Sequence, residues 1–228
     1  MPATPACSPS PSRPSPPAQI YNCDKLRLLL VGCYLMQALG VVIVNWLPTL
    51  AGFALGSLLA KGYTAQQIAL AGDSAGGGLA LALMHRLRQL GEPVPSSVSL
   101  ISPLTDLTLQ GSTFGSRRKQ DPMIRLGWLQ QCAGWFKVNP KDEAFRPLEA
   151  DWTDLPPVLI QVGDDEVLLA DSTRLAARLK AHDVPCQLHI YEKRWHVFHL
   201  QAALLPSARQ ALADMAGFMV QHMAKVNA

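Results

Sequence analysis

From residue 61 onward, short apolar runs alternate with longer amphipathic ones, and their lengths assign the elements. Gln67–Ala71, Val98–Ile101, Pro157–Val162 and Cys186–Tyr191 are brief, nearly continuous apolar stretches, the pattern of strands buried on both faces. Ala75–Leu90, Ala170–Ala181 and Gln201–Ala224 carry apolar residues at helical spacing, and Trp128–Phe136 forms an amphipathic segment after a polar loop. Strands alternating with helices of these lengths predict βαβ units, hence a mostly parallel sheet flanked by helices. No internal repeat is visible.

The N-terminal quarter departs from this rhythm. Residues 1–19 hold seven prolines and four serines. Proline fixes φ and removes a hydrogen-bond donor, so residues 1–25 are expected to form an unpacked tail. From Leu28 to Ala60 there is no charged side chain. About 20 apolar residues suffice to cross a bilayer, and Lys25 and Arg27 flank the run, so 28–47 is one candidate membrane anchor. Gly32, Gln37, Gly40, Asn45 and Pro48 interrupt it, however, and Val41–Trp46 is a β-branched run of strand length. A buried strand followed by a buried helix is therefore preferred over an anchor for 26–60, an apolar segment whose role the sequence does not assign, with 61–228 as the main folded domain.

Composition narrows the function classes. Hydrophobic residues make up 49% of the 228 and charged residues 16%, which fits a packed domain and not a disordered chain. A net charge of +3, with Arg117-Arg118-Lys119 as the densest basic cluster, does not point to nucleic acid. Five cysteines without CxxC or Cys/His metal spacing predict free thiols in a reducing, cytoplasmic setting.

Candidate chemistry centres on Gly72-Asp73-Ser74-Ala75-Gly76, which fits G-x-S-x-G. That pattern places a serine on a tight strand-to-helix turn, with glycines where bulkier neighbours would clash. The following helix points its free N–H groups and dipole at the site, favouring developing negative charge. A serine hydroxyl needs a general base, and the order expected on this architecture is serine, acid, histidine. Gly163–Leu168 follows one predicted strand and Lys193–His199 follows the next, so both loops fall where acid and base are required. Asp164, Asp165 and Glu166 all stand in the first loop, and Asp165 is favoured. His196 is favoured in the second, with His199 assigned to the start of the last helix and His189 to a packed strand position. His85, His182 and His222 read as helix-surface or loop residues, and Asp73 as a carboxylate that orients the turn.

These residues resemble the hormone-sensitive-lipase-like branch of the α/β-hydrolases, the bacterial family IV carboxylesterases. The resemblance rests on GDSAGGGLALAL (72–83), GDDEVLLADS (163–172) and WHVFHL (195–200), with SPLTDL and DPMI between them, and covers about 61–224. It implies an α/β-hydrolase fold that cleaves carboxylic esters of short to medium acyl chains through an acyl-enzyme, with small-molecule esters as substrates and no cofactor or metal. Carried over by position, Ser74 is the nucleophile, Asp165 the acid and His196 the base, with the Ala75 N–H donating to the oxyanion. The family's upstream HGGG segment, whose N–H groups complete the oxyanion hole, does not occur in this sequence. Val31-Gly32-Cys33-Tyr34 comes nearest and is not equivalent. The chain therefore reads as an N-terminally truncated or divergent member, with activity lowered by the missing donor. Loss of one such donor costs about 10²–10³ in turnover. The alternative expectation is a catalytically inactive remnant acting as a binding or interaction protein.

Overall fold

The computed structural model describes residues 28–31, 47–135 and 143–224. Five parallel strands form one sheet: β1 (Leu28–Val31), β2 (Ala69–Asp73), β3 (Ser97–Ile101), β4 (Val158–Gly163) and β5 (Cys186–Tyr191). They lie side by side in sequence order, in registers such as Leu70 opposite Val98, Val98 opposite Val158 and Ile160 opposite Leu188. β3 and β4 are buried at every position, including the polar Ser97, Ser99 and Gln161 among their apolar residues. β5, at the end of the described sheet, is only half-buried.

The crossovers explain the layering. Right-handed βαβ connections that step repeatedly in one direction place their helices on one face. Helices α1 (Leu47–Ala60), α2 (Ala75–Leu90) and α4 (Leu169–Ala181) pack there, with Leu55, Leu81, Met84, Leu175 and Leu179 against Leu70, Val98, Leu100, Val158 and Ile160. The β3–β4 connection carries α3 (Leu126–Trp135) and then covers the same face with Trp152, whose indole N–H donates to the Pro147 carbonyl at 2.7 Å. Helix α5 (Pro206–His222) returns to the opposite face, where Met215, Phe218 and Met219 meet Ala69, Ala71 and Leu159.

Several expectations need adjusting. Gln67 ends a 3₁₀ turn (Ala65–Gln67), and the strand starts two residues later at Ala69. The last helix begins at Pro206 and not Gln201, which closes a separate 3₁₀ turn (Phe198–Gln201) containing His199. Proline supplies no N–H and has a fixed φ, so it suits the first helical turn better than an interior. His85 is buried on α2, edge-on to Trp152 with ring centroids 6.1 Å apart, and is not a surface residue. Leu55 of α1 is 1% exposed within the main core, in keeping with the buried helix expected of this stretch. Of the 28–47 run, Leu28–Val31 is a strand and Leu47 opens α1, while Val41–Trp46 lies outside the described residues. No helix among the described residues is long and apolar enough to cross a membrane.

Candidate active site

Four strand ends converge on one spot. Residues just beyond the C-terminal ends of β2, β3, β4 and β5 supply Ser74, Ser102, Glu166 and His196. Such sheets bind ligands along this edge because successive loops there open side by side.

Ser74 sits on a sharp turn between β2 and α2. Its φ of +53° and ψ of −122° lie outside the ordinary regions for a residue with a side chain. The turn closes tightly, since a Cβ on Gly72 would run into the Gly76 carbonyl oxygen. Ser74 N–H donates to the Ile101 carbonyl at 2.8 Å, and its own carbonyl accepts from Gly77 N–H at 3.1 Å and Leu104 N–H at 2.9 Å. These bonds hold the strained residue in place. Ala75 is the first residue of α2, so its N–H belongs to the group that finds no acceptor within a helix.

The imidazole of His196 stands over this serine, with Nε2 2.9 Å from Ser74 Oγ. Both residues are buried. On the other side of the ring, Nδ1 faces Glu166 Oε1 at 3.7 Å, and neither atom has a hydrogen-bond partner. With a carboxylate on that side, Nδ1 carries the proton and Nε2 accepts from the serine hydroxyl. The 3.7 Å separation is longer than a hydrogen bond. Sites of this kind commonly hold such contacts long without substrate and tighten them when it binds.

The carboxylate is therefore not the one expected. Asp165 is 34% exposed, with Oδ1 3.9 Å from an Arg117 guanidinium nitrogen, and the structure does not bring it to the imidazole. Glu166, fully buried, takes that place. The turn after β4 sets the difference: Asp165 N–H donates to the Arg194 carbonyl at 2.9 Å and its side chain turns outward. Glu166 turns inward, and its Oε2 accepts from Ser102 Oγ at 2.8 Å and Gly163 N–H at 3.0 Å. Ser102 opens the SPLTDL stretch and stands at the end of a predicted strand, level with the serine turn, but neither signal gives it a role at the site.

Behind the imidazole lies a second buried histidine. His199 Nε2 is 3.0 Å from Gln161 Oε1, and the Gln161 amide donates to the Ala211 carbonyl at 2.9 Å and Tyr191 Oη at 3.1 Å. Burial, aided by electrostatic repulsion from neighbouring His196 as both rings take up protons, pushes the His199 pKa down to about 4. Beside Ala75 an apolar pocket opens, lined by Leu79, Leu104, Leu107, Cys132 and Phe145. Val31-Gly32-Cys33-Tyr34, the stretch nearest to HGGG and not equivalent to it, lies, apart from Val31, outside the described residues.

A family model described as the alpha/beta hydrolase fold matches residues 40–200, spanning both the serine turn and the histidine loop. The chain belongs to the α/β-hydrolase family. Its matches include proteins named as esterases and a solved esterase from the bacterial hormone-sensitive lipase family. An esterase of Acinetobacter venetianus is 38% identical over 165 residues, covering 71% of this chain and 54% of that protein. An acetyl-hydrolase of Streptomyces hygroscopicus is 35% identical over 165 residues, covering 71% of this chain and 55% of that protein. Among solved structures, an esterase from the bacterial hormone-sensitive lipase family superposes with a TM-score of 0.73 at 36% identity, covering 77% of this chain and 59% of that one. This α/β-hydrolase chain thus spans little more than half the length of the relatives it matches.

Proposed function

We propose that this α/β-hydrolase chain cleaves carboxylic esters of short to medium acyl chains through a covalent acyl-enzyme. The observation that carries the reading is the contact of His196 Nε2 with Ser74 Oγ on a strained strand-to-helix turn. In the proposed reaction, Ser74 Oγ attacks the ester carbonyl carbon while its proton passes to His196 Nε2. The tetrahedral oxyanion lies against the Ala75 N–H at the start of α2. Collapse breaks the bond to the alkoxy group, which leaves as alcohol with the proton from His196. Water, deprotonated by His196, then releases the acid and restores the serine. Glu166 orients the imidazole and offsets its positive charge; it does not take up the proton.

The small apolar pocket beside Ala75 favours a short hydrocarbon chain over a charged group, and the esterase and acetyl-hydrolase names of the relatives agree with that substrate class. Cys132 and Cys186 are free thiols, which supports a reducing, cytoplasmic setting.

The test is covalent labelling by a fluorophosphonate, paired with hydrolysis of p-nitrophenyl butyrate. Labelling and turnover are expected, both lost in Ser74→Ala. A folded protein that reacts with neither overturns the esterase reading. That outcome would favour an inactive binding protein, the reading supported by a sequence without HGGG.

A further inference from the structure

We propose that Ser102 is a positioning residue whose hydroxyl holds the Glu166 carboxylate and the backbone beside His196 in one hydrogen-bonded frame. This rests on reading Glu166 and His196 as the acid and base of the site.

Ser102 is fully buried just beyond β3, with φ at +46°. Residues with side chains seldom adopt that region, and the residue before a proline is normally held extended; Pro103 follows. Three bonds keep it there. Its N–H donates to the Gln161 carbonyl at 2.8 Å, its Oγ donates to Glu166 Oε2 at 2.8 Å, and the Val197 N–H donates to that same Oγ at 3.2 Å. Val197, with φ at +48°, directly follows His196. The strained ends of three strand-loop junctions, at Ser74, Ser102 and Val197, thus meet around one imidazole.

The chemistry of the hydroxyl suits the task. It can donate to an anion and accept from an N–H at once, which no carboxylate or ammonium can do. Ser102 and the Gly163 N–H together occupy Glu166 Oε2. Oε1 is thereby left as the oxygen directed at His196 Nδ1. Without the serine hydroxyl, the buried carboxylate is held from one side only, and the histidine loop loses its tie to β3.

Two variants of the full chain separate this role from that of a strained turn. Ser102→Gly removes the hydroxyl but suits a positive φ, while Ser102→Ala removes the hydroxyl and keeps the strain. Two quantities are measured: the rate of Ser74 labelling by a fluorophosphonate, and the low-field resonance of the His196 Nδ1 proton in histidine-labelled protein. Both variants are expected to label about 10- to 100-fold more slowly and to lose that resonance, and Ser102→Thr to regain it. A Ser102→Gly protein that labels at the wild-type rate and keeps the resonance overturns the proposal, whatever Ser102→Ala does. If the unaltered chain is not labelled at all, the esterase reading fails, and the resonance decides this inference by itself. Its persistence in Ser102→Gly refutes the role, and its disappearance supports it. Should Ser102→Gly fail to fold, Ser102→Ala carries both readouts.

Discussion

Glu166 and Asp165 are chain neighbours in opposite environments. One is sealed behind an imidazole, and the other stands half-exposed beside Arg117. Substituting each in turn gives unequal results on the proposed mechanism. Glu166→Gln keeps the shape but removes the charge and allows the wrong histidine tautomer, so turnover is expected to fall on the order of 10³-fold or more. Asp165→Asn loses a screened surface pairing and is expected to leave turnover of p-nitrophenyl butyrate nearly unchanged. Comparable losses in both variants would return the acid role to the pair. From the sequence, Asp165 is favoured among three adjacent carboxylates, and Glu166 cannot be singled out because periodicity does not say which way a turn residue points. The Asp165 N–H bond to Arg194 settled it, and that bond joins residues 29 positions apart.

At the scale of elements, the site depends on how closely β4's end approaches the histidine loop. A Cβ on Gly163 would collide with the Arg194 carbonyl, a backbone atom that cannot swing aside. Gly163→Ala is therefore expected to push the acid and base loops apart. Ser74 labelling should slow markedly while the circular dichroism of the folded chain persists. A wild-type labelling rate in that variant would show that the loops tolerate the shift. Helix α1 carries a prediction of a different kind, since Leu55 sits in the core between α1 and the sheet. Leu55→Ala should lower unfolding stability by about 2–5 kcal/mol, read from the denaturant midpoint. A change near zero would mean that α1 contributes little to this core. The apolar 26–60 stretch left two destinies open because a buried helix and a membrane segment share one composition; burial of Leu55 shows how its end is used.

Across the whole molecule, His199 gives stability a distinct pH dependence. Its folded pKa is about 4 against an ordinary value of 6.5, chiefly because it is buried. Above pH 6.5 both folded and unfolded chains keep it neutral, and its stabilising contribution is complete. Between 6.5 and about 4 the unfolded chain takes up a proton that the folded chain refuses, so stability falls with pH through that window. The loss amounts to at most about 3 kcal/mol. His199→Gln should flatten that part of the stability–pH curve without making the protein more stable at pH 7.5, since the Gln161 contact is disturbed. Denaturant unfolding at pH 7.5 and pH 5 checks it; equal slopes in both proteins would remove His199 as the cause.

The alternation of strands and helices, the serine turn and the two loops that serve it were all legible in the amino-acid sequence. Those features are written in local patterns: apolar runs of strand length, G-x-S-x-G, and a histidine just past a strand. It took the folded chain to show which carboxylate faces His196, that Ser102 bonds both Glu166 and the histidine loop, and that His199 is a buried neighbour and not the start of the last helix. Each of these depends on contacts between residues about 30 to more than 90 positions apart, or on the direction of a side chain within a turn. Hydrophobic periodicity carries no information on either.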